Sequence, residues 1–326
     1  MIEEVVKNIY RISVPLPQNP LKELNSYFIK GDDSDLLIDT GFRRPECAEA
    51  LEQGLKELGS DPARRDILVT HLHSDHSGMA DMFVGPGRKI YMSEIDLEYK
   101  RRILFCGLNE QKRERLRSEG FPEDALEIVY NTNPADKMAL PALTDAFHGF
   151  KDGDTFTVGD YTLKAILAPG HTPGNSMFWI EEQGIMFSGD HILFDITPNI
   201  TQWSEVEDSL GDYLKSLKAV KDLPVKLTLP GHRKTGDYKA RIDELFVHHD
   251  ARINEAFEIV KKSPGMNTHD IAGKMTWKIR ADSWETFPVI QKWFAVGECL
   301  SHLDYLRLRG KVRKEQQNGI WVYYAV

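Results

Sequence analysis

The residues best suited to chemistry lie close together, in the segment His71–His76, whose sequence is HLHSDH. A lone histidine beside an apolar segment is usually a core or surface residue. Three imidazoles and one carboxylate on one loop are hard to explain in that way. Imidazole nitrogens with a carboxylate suit zinc, and after zinc manganese or iron, better than magnesium or calcium. The segment therefore predicts a transition-metal site.

The residues before this segment predict how it is held. Asp66–Thr70 (DILVT) is apolar and β-branched, which is typical of a short buried strand. If His71 and His73 continue the extended backbone, their side chains point the same way. Asp75 and His76 lie beyond the turn and could face a second position. Because further candidate ligands follow downstream, the spacing suggests two metals.

Three later segments share one arrangement, in which a candidate ligand follows a strand or sits in a turn rich in glycine and proline. Each segment alone is weak evidence, since a histidine beside Pro-Gly is mostly an ordinary turn residue. The repetition predicts a single site built where strands end. The candidates are His171 in the loop APGHTPGN, Asp190 after the strand 184–187, and His232 after the strand 227–229 and its Pro-Gly turn.

These blocks, in this order, resemble the metallo-β-lactamase-fold hydrolases, which carry His-x-His-x-Asp-His followed by a histidine, a bridging aspartate and a final histidine. With Asp39-Thr40-Gly41 upstream, the resemblance covers about residues 1–245. It implies an α/β fold, the four-layer αβ/βα sandwich, with two Zn2+ ions (Fe or Mn as alternatives) at one edge. The implied ligands are His71, His73 and His171 for the first metal, Asp75, His76 and His232 for the second, and Asp190 bridging both.

The residues of the segment His71–His76 indicate which members of the family the chain resembles most. An aspartate at position 75 is the form found in glyoxalase II-like and ribonuclease-like members, rather than in lactamases that use a cysteine ligand. Asn175 stands where the glyoxalase II-like pattern often carries a further histidine. That departure counts against a glutathione thioester as substrate and leaves the metal site untouched.

The implied mechanism follows from charge. Two dications close together lower the pKa of a shared water, so a bridging hydroxide exists near neutral pH and can attack an acyl carbon or phosphorus. Asp190 and Asp75 are the predicted catalytic residues, and Asp75 could orient the nucleophile or take a proton. Asp39, at the end of the predicted strand 35–38, could orient a ligand from outside. A turn-forming Asp-Thr-Gly with no catalytic part is an equal alternative.

Three other histidines are not interpreted as metal ligands. His191 follows the predicted bridging aspartate, and packing or hydrogen bonding is favoured there over contact with substrate. His248 and His249 fall in a predicted helix after the metal domain and are interpreted as solvated linker residues.

Length and composition fit an enzyme of ordinary globular type. The 326 residues are enough for about two domains. The net charge of -9 disfavours broad attraction to nucleic acid or anionic membrane. No apolar run reaches the length of a membrane span and the N-terminal residues do not resemble a signal peptide, so a cytoplasmic location is expected. The three cysteines are too few and too dispersed for a disulfide framework or a cysteine zinc site.

Periodicity predicts a catalytic domain over 1–245 and a second domain over 246–326. Within the first, a helical insertion at about 94–150 is expected, with helices at 97–117 and 123–138. The insertion is interpreted as a wall or lid of the substrate pocket. A dimer contact or a solvated helical pair are the alternatives.

The second domain has helical periodicity followed by a hairpin signal, with Thr268 as a helix cap and Asn318-Gly319 as the turn. Three helices and a hairpin predict a winged-helix-like domain. It is similar to the tails of bacterial metallo-β-lactamase-fold hydrolases and of lactamase-β-like ribonucleases. The predicted elements are helices at 245–262, 269–275 and 287–309, and strands at 312–316 and 320–325.

Whether this tail binds nucleic acid is left open by its charges. It carries 12 Lys and Arg against 9 Asp and Glu. Packing against the metal domain or a second subunit is favoured, because the whole chain is acidic and four aromatic residues between 284 and 294 resemble core or interface anchors. The basic residues that could contact phosphate are Arg307, Arg309, Lys311, Arg313 and Lys314.

Three functions therefore compete. The preferred one is hydrolysis of a small-molecule acyl bond, a thioester or related ester. The alternative is a phosphodiesterase or ribonuclease whose winged-helix-like tail holds RNA. The third, a metal-containing binding protein without turnover, is disfavoured by the intact ligand set. The expected partners are a small-molecule substrate and a possible second copy of the chain, with nucleic acid less favoured and no membrane.

Overall fold

A computed structural model of the chain describes residues 1–133, 137–278 and 281–326. Within these residues, the N-terminal half forms a seven-stranded sheet whose strands lie in sequence order. The first four strands are antiparallel, and the fourth to seventh run parallel. They are β1 (Ile2–Val6), β2 (Ile9–Pro15), β3 (Glu23–Lys30), β4 (Asp35–Ile38), β5 (Arg65–Leu68), β6 (Ile90–Ser93) and β7 (Phe147–Phe150).

The second half contributes a five-stranded sheet in the reverse order, from the twelfth strand back to the eighth. Its neighbours are antiparallel except for the last two strands in sequence, which are parallel and so end at the same edge. These strands are β8 (Thr155–Val158), β9 (Tyr161–Leu167), β10 (Ser176–Ile180), β11 (Ile185–Gly189) and β12 (Leu227–Pro230).

Helices cover the outer faces of both sheets, and a separate hairpin ends the chain. No helix in the described part of the chain is both long and apolar enough to cross a bilayer. The hairpin consists of β13 (Val312–Gln317) and β14 (Ile320–Ala325). The helices are α1 (Pro45–Glu57), α2 (Ser74–Ser77), α3 (Ala80–Phe83), α4 (Glu94–Phe105), α5 (Leu108–Ser118), α6 (Glu123–Thr132), α7 (Ser209–Val220), α8 (Tyr238–Lys262), α9 (Thr268–Lys274) and α10 (Val289–Leu308).

Alternation along the strands builds the layers. In β3, Tyr27 and Ile29 face the second sheet, whereas Phe28 faces α1. In β10, Phe178 belongs to the core between the sheets, whereas Trp179 packs with the helices on the far side. Both sheets are therefore buried on two faces, which explains their nearly continuous apolar sequences. The predicted four-layer α/β sandwich is confirmed.

The insertion differs from its predicted form. One helix was expected over 97–117, but α4 and α5 are separate, because Gly107 between them adopts φ +67 and ends the regular helix. The helix predicted over 123–138 corresponds to α6, which ends at Thr132; residues 134–136 of that prediction lie outside the described residues. Helices α5 and α6 share an apolar core with α8 and α10, so they pack largely on the C-terminal segment.

The C-terminal helices and hairpin are present near their predicted positions. Asn318 and Gly319 have φ of 49 and 83, the conformation that a tight hairpin turn requires. Helix α8 begins at Tyr238 and crosses the predicted domain boundary without a break. His249 is buried on it, so the interpretation of this residue as solvated was wrong. The winged-helix-like assignment and the boundary at 245/246 stay predictions.

Candidate metal centre

The candidate ligands all follow strands at one edge of the two sheets. From the first sheet, His71 comes three residues after β5, and the short helix α2 carries Asp75 and His76. From the second sheet, His171 follows β9, and the two remaining candidates follow β11 and β12. Because these strand ends meet at the same edge, side chains distant in sequence come together. The residues after β11 and β12 are Asp190 and His232.

The side chains form two groups of donor atoms, and a third set, His71, His76 and Asp190, joins them. In the first group, formed by His71, His73 and His171, the His71 Nε2 and His73 Nδ1 atoms are 3.0 Å apart. In the second, formed by Asp75, His76 and His232, the two histidine Nε2 atoms are 3.3 Å apart. A carboxylate oxygen of the second group, Asp75 Oδ2, lies 3.3 Å from His232 Nε2.

Asp190 lies between the two groups. Its Oδ2 atom is 3.7 Å from His171 Nε2 on one side and 3.5 Å from His232 Nε2 on the other. Its Oδ1 atom is 3.5 Å from His76 Nε2. The structure thus brings together every residue of the predicted ligand set, with the predicted bridging residue in the middle.

Hydrogen bonds outside the groups fix which nitrogen faces inward. His171 Nδ1 lies 2.9 Å from the Asn199 carbonyl, and His232 Nδ1 lies 2.8 Å from the Glu23 carbonyl. A carbonyl oxygen can only accept, so both Nδ1 atoms carry a proton, and in both rings the Nε2 atom is the one that faces the centre. Such outer partners are typical of metal-binding histidines.

The donor set fits divalent cations. His171 Nε2 and Asp190 Oδ1 are buried and have no hydrogen-bond partner among the described residues. The Nε2 atoms of His76 and His232 face each other, although the Nδ1 atom of each ring already has an acceptor. Facing ring nitrogens and buried carboxylates in this arrangement need positive charge between them, either as protons on His76 and His232 or as bound cations. Nitrogen and carboxylate donors are the set that zinc prefers.

The electrostatics of the two groups differ. Burial, reinforced by neighbouring imidazoles, lowers the pKa of His71 and lowers that of His73 to about 3, so these rings are neutral. Burial also lowers the pKa of His232, but Asp190 and Asp75 outweigh it and raise this pKa to about 10. The carboxylates therefore concentrate negative charge around the second group, which favours a cation there.

A family comparison matches residues 23–232 to the family described as the Metallo-beta-lactamase superfamily. The chain belongs to this superfamily. The matched range runs from the start of β3 to His232, so it includes ten of the twelve sandwich strands and every candidate ligand of the metal centre. The predicted family and the predicted enzyme class, a metal-dependent hydrolase, are thereby confirmed.

Individual superfamily members resemble the chain over most of its length. A metallo-beta-lactamase family protein from Thermus thermophilus superposes with a TM-score of 0.84, with 27% identity, and covers 99% of this chain and 100% of that one. A beta-lactamase-like protein 2 homolog from Caenorhabditis elegans is 26% identical over 89% of this chain and 85% of its own. An atrochrysone carboxyl ACP thioesterase from Aspergillus novofumigatus is 26% identical over 71% of this chain, but over 56% of its own length.

Asp39 lies at the end of β4 and contacts the metal centre from outside. It adopts φ 61, and its carboxylate accepts hydrogen bonds from the Thr70 backbone N–H and hydroxyl, both at 2.8 Å. Its Oδ2 atom is 2.7 Å from His76 Nδ1. Of the two alternatives left open by the sequence, these contacts favour orientation of a candidate ligand over a turn without a role.

Asp96, at the start of α4, is a residue that the sequence reasoning missed. Its carboxylate is fully buried and accepts hydrogen bonds from Leu72 N–H at 2.8 Å, Thr172 Oγ1 at 2.7 Å and Gly174 N–H at 2.6 Å. It therefore ties the segment of His71 to the loop that carries His171. The local pattern Ser93-x-x-Asp96 predicts a helix start and gives no sign of these distant contacts.

An aromatic wall borders the first group. The Trp203 ring is 5.7 Å from the His73 ring and 5.5 Å from the Tyr99 ring, measured between centroids. The Trp203 indole N–H donates to the His171 carbonyl at 3.0 Å. Tyr99 belongs to the insertion, which agrees with its interpretation as a pocket wall. Trp203 was missed, because a single tryptophan in a loop carries no pattern.

Two other polar residues near the centre, Asn175 and His191, are buried and contact neighbouring parts of the fold. Asn175 is buried and donates to the Ala168 carbonyl at 3.0 Å, within its own loop. His191 is also buried, and its ring packs 5.0 Å from that of Tyr213. These surroundings agree with the packing role favoured for His191.

Proposed function

We propose that the chain is a dinuclear-metal hydrolase that cleaves a thioester or related ester of a small molecule. The observation that carries the proposal is the pair of donor groups joined by Asp190. Two bound cations would lower the pKa of the water between them, so that hydroxide attacks near neutral pH, and would polarise the acyl oxygen. The residues proposed to hold the cations are His71, His73 and His171, then Asp75, His76 and His232, with Asp190 contacting both.

The histidines and Asp75 of the centre have different proposed roles. Bound cations would displace the Nε2 protons of His76 and His232, and the outside acceptors on the Nδ1 atoms of His76, His171 and His232 keep these rings in orientation. Asp75 retains 12% side-chain exposure, whereas the His76 side chain has none. We therefore assign to Asp75 the role of holding a water at the mouth of the centre and of accepting its proton.

The wall of the centre supports an acyl substrate. Trp203 and Tyr99 line the centre beside His73 with apolar rings that are themselves largely buried, so an acyl chain would lie against their exposed edges. The relative named as an ACP thioesterase acts, by its name, on a thioester, and it is 26% identical to this chain over 71% of this chain's length. Both points favour acyl transfer to water over phosphodiester cleavage.

The basic residues before the hairpin weigh against RNA as substrate. Arg307 pairs with Asp304 at 3.2 Å, and Arg309 pairs with Asp208 at 2.9 Å. Lys314 Nζ lies 3.9 Å from a carboxylate oxygen of the buried Glu119. Side chains engaged in this way are less available to phosphate, and the net charge of the chain is negative.

A substrate panel on protein of measured metal content tests the proposal. Acyl thioesters, aryl esters, lactones, bis(p-nitrophenyl) phosphate and single-stranded RNA would be assayed in one preparation. We expect thioester or ester turnover that rises with metal content and disappears in Asp75→Asn. Cleavage of RNA or phosphodiester without acyl turnover, with the same dependence on metal and Asp75, would establish the alternative instead.

A further inference from the structure

Helix α10 contacts a loop next to the metal centre, residues Asn199–Trp203, called here the support loop. The Ser301 hydroxyl donates to the Ile200 carbonyl at 2.6 Å, and Gln202 N–H donates to the Gly297 carbonyl at 3.1 Å. One face of α10 therefore fixes the backbone of the loop at two points.

The helix and the loop approach unusually closely. A Cβ atom added at Gly297 would lie 2.3 Å from the Thr201 hydroxyl oxygen. A larger residue at 297 would require the Thr201 side chain to rotate or the loop to shift, so glycine in the C-terminal segment permits the observed packing of the support loop.

A half-buried carboxylate on the same helix holds the side chain of the loop's first residue. Glu298 Oε2 accepts a hydrogen bond from Asn199 Nδ2 at 3.0 Å, and Glu298 Oε1 lies 3.5 Å from Arg252 Nη2. Arg252 is itself held on α8 by Glu255 and by the Thr276 carbonyl. The C-terminal segment thus clamps Asn199 through a chain of charged groups.

The support loop in turn holds His171 at two atoms. The Asn199 carbonyl accepts from the His171 ring at Nδ1, at 2.9 Å, and the Trp203 indole donates to the His171 carbonyl, at 3.0 Å. Ring and backbone of this candidate ligand are therefore both fixed by the support loop.

We propose that Glu298 is a positioning residue for the metal centre, acting through Asn199 on the tautomer and orientation of His171. The inference rests on the proposed role of His171 as a metal ligand. It links the C-terminal segment to the metal centre: without α10, the loop that carries the acceptor of His171 Nδ1 loses its contacts with Glu298, Gly297 and Ser301. Loss of such an outer partner typically weakens metal affinity by about 10- to 100-fold.

Metal affinity measured by chelator competition tests the inference. Glu298→Ala removes the acceptor for Asn199, whereas Glu298→Gln keeps an amide oxygen in the same place. Glu255→Gln is the matched control, because it disturbs the same Arg252 cluster without touching Asn199. We expect Glu298→Ala to weaken one of two bound Zn2+ ions by about 10- to 100-fold, with near wild-type binding in the other two variants.

A second variant and a second signal keep the test decisive. Asn199→Ala breaks the same contact from the loop side, and it should reproduce the loss even if Glu298→Ala folds poorly. In nitrogen-edited NMR spectra, the His171 ring N–H signal should shift in Asn199→Ala and stay in Glu255→Gln.

The outcomes separate the two proposals. If the wild type binds two ions and both Glu298→Ala and Asn199→Ala bind them equally tightly, the positioning role is wrong and the proposed function stands. An equal loss in Glu255→Gln would likewise overturn the positioning role, since it would reflect general destabilisation. Wild-type protein that binds no divalent cation would overturn the proposed function and the inference together.

Discussion

The two donor groups of the metal centre are supported by different parts of the molecule. In the second group, His76 and His232 are held by Asp39 after β4 and by the carbonyl of Glu23 in β3, both within the sandwich. In the first group, His171 is held by Asn199, on a loop carried by the C-terminal helix α10. The sandwich alone therefore supports His76 and His232, whereas the support of His171 includes a loop that the C-terminal segment contacts.

The largest expected effect comes from deleting residues 263–326. The deletion removes α10 and uncovers the apolar core in which Leu116 and Phe121 of the insertion pack. We expect aggregation, and any folded fraction should keep one bound ion and lose the other. Light scattering and elemental analysis check this. A monodisperse truncated protein with both ions at wild-type affinity would contradict the division of support.

The next prediction concerns Asp39, which supports His76 in the second group. Asp39→Ala leaves the His76 Nδ1 proton and the Thr70 N–H without their buried acceptor, at a cost of about 2–3 kcal/mol in the free energy of unfolding. We expect the affinity for one ion to fall by about 10- to 100-fold.

Asp39→Asn is the control, because asparagine also tolerates the positive φ and keeps one acceptor. The ion whose binding is weakened in Asp39→Ala should differ from the ion whose binding is weakened in Glu298→Ala. The double variant should therefore show both losses of affinity together. Identical behaviour of the double variant and either single variant would show that the two supports act on one ion.

A smaller effect is expected from Gly297→Ala, which probes the approach of α10 to the support loop. The added methyl group must displace Thr201, at a cost of about 1–3 kcal/mol, as for other overpacked sites. Denaturant unfolding measures this cost, and chelator competition should show weakened binding of the same ion as in Glu298→Ala. Unchanged stability and affinity would mean that the close approach at Gly297 does not fix the support loop, which would contradict this part of the proposed support.

The smallest effect concerns pH and the contact of the insertion with the C-terminal segment. Burial raises the pKa of Glu119, opposed by Arg115 and Lys314, and its carboxylate accepts from Thr268 and Tyr323. Since the pKa is higher in the folded state, this contribution to stability is fully present below about pH 4.5 and is lost as pH rises through the folded-state pKa.

Glu119→Gln removes this titration. The free energy of unfolding of the wild type minus that of the variant should therefore fall between pH 4.5 and neutrality, as measured in urea at several pH values. A difference that stays constant or rises with pH would contradict the raised pKa. Metal affinity should not change, because Glu119 makes no contact with the support loop in the structure described.

The sequence predicted the candidate ligands of both groups, but of the residues that support them it predicted only Asp39. Ligands that follow strands leave a local signature, so the segment His71–His76 and the later blocks could be found, and Asp39 with them. The supports of His171 act through a backbone carbonyl and a distant carboxylate, which have no signature in sequence. Asp96 and Trp203 were not predicted for the same reason, because their contacts are with residues distant in sequence.

Helix limits and burial were predicted less well where tertiary packing decides. Gly107 divides a segment that has continuous helical periodicity, since its positive φ is not visible in a hydrophobic pattern. His249 was expected in solvent, but α8 starts earlier than predicted and the residue faces the core. The sandwich itself was predictable because the resemblance extends over its whole length.

The metal content of Asp190→Ala tests the central claim most directly. Asp190 is the residue between the two donor groups, and the exposed Asp195 in the same region provides a matched control, Asp195→Ala. Elemental analysis should find two divalent ions per chain in the wild type and in Asp195→Ala, and none or nearly none in Asp190→Ala, with hydrolysis abolished. Normal metal content in Asp190→Ala would contradict a shared centre.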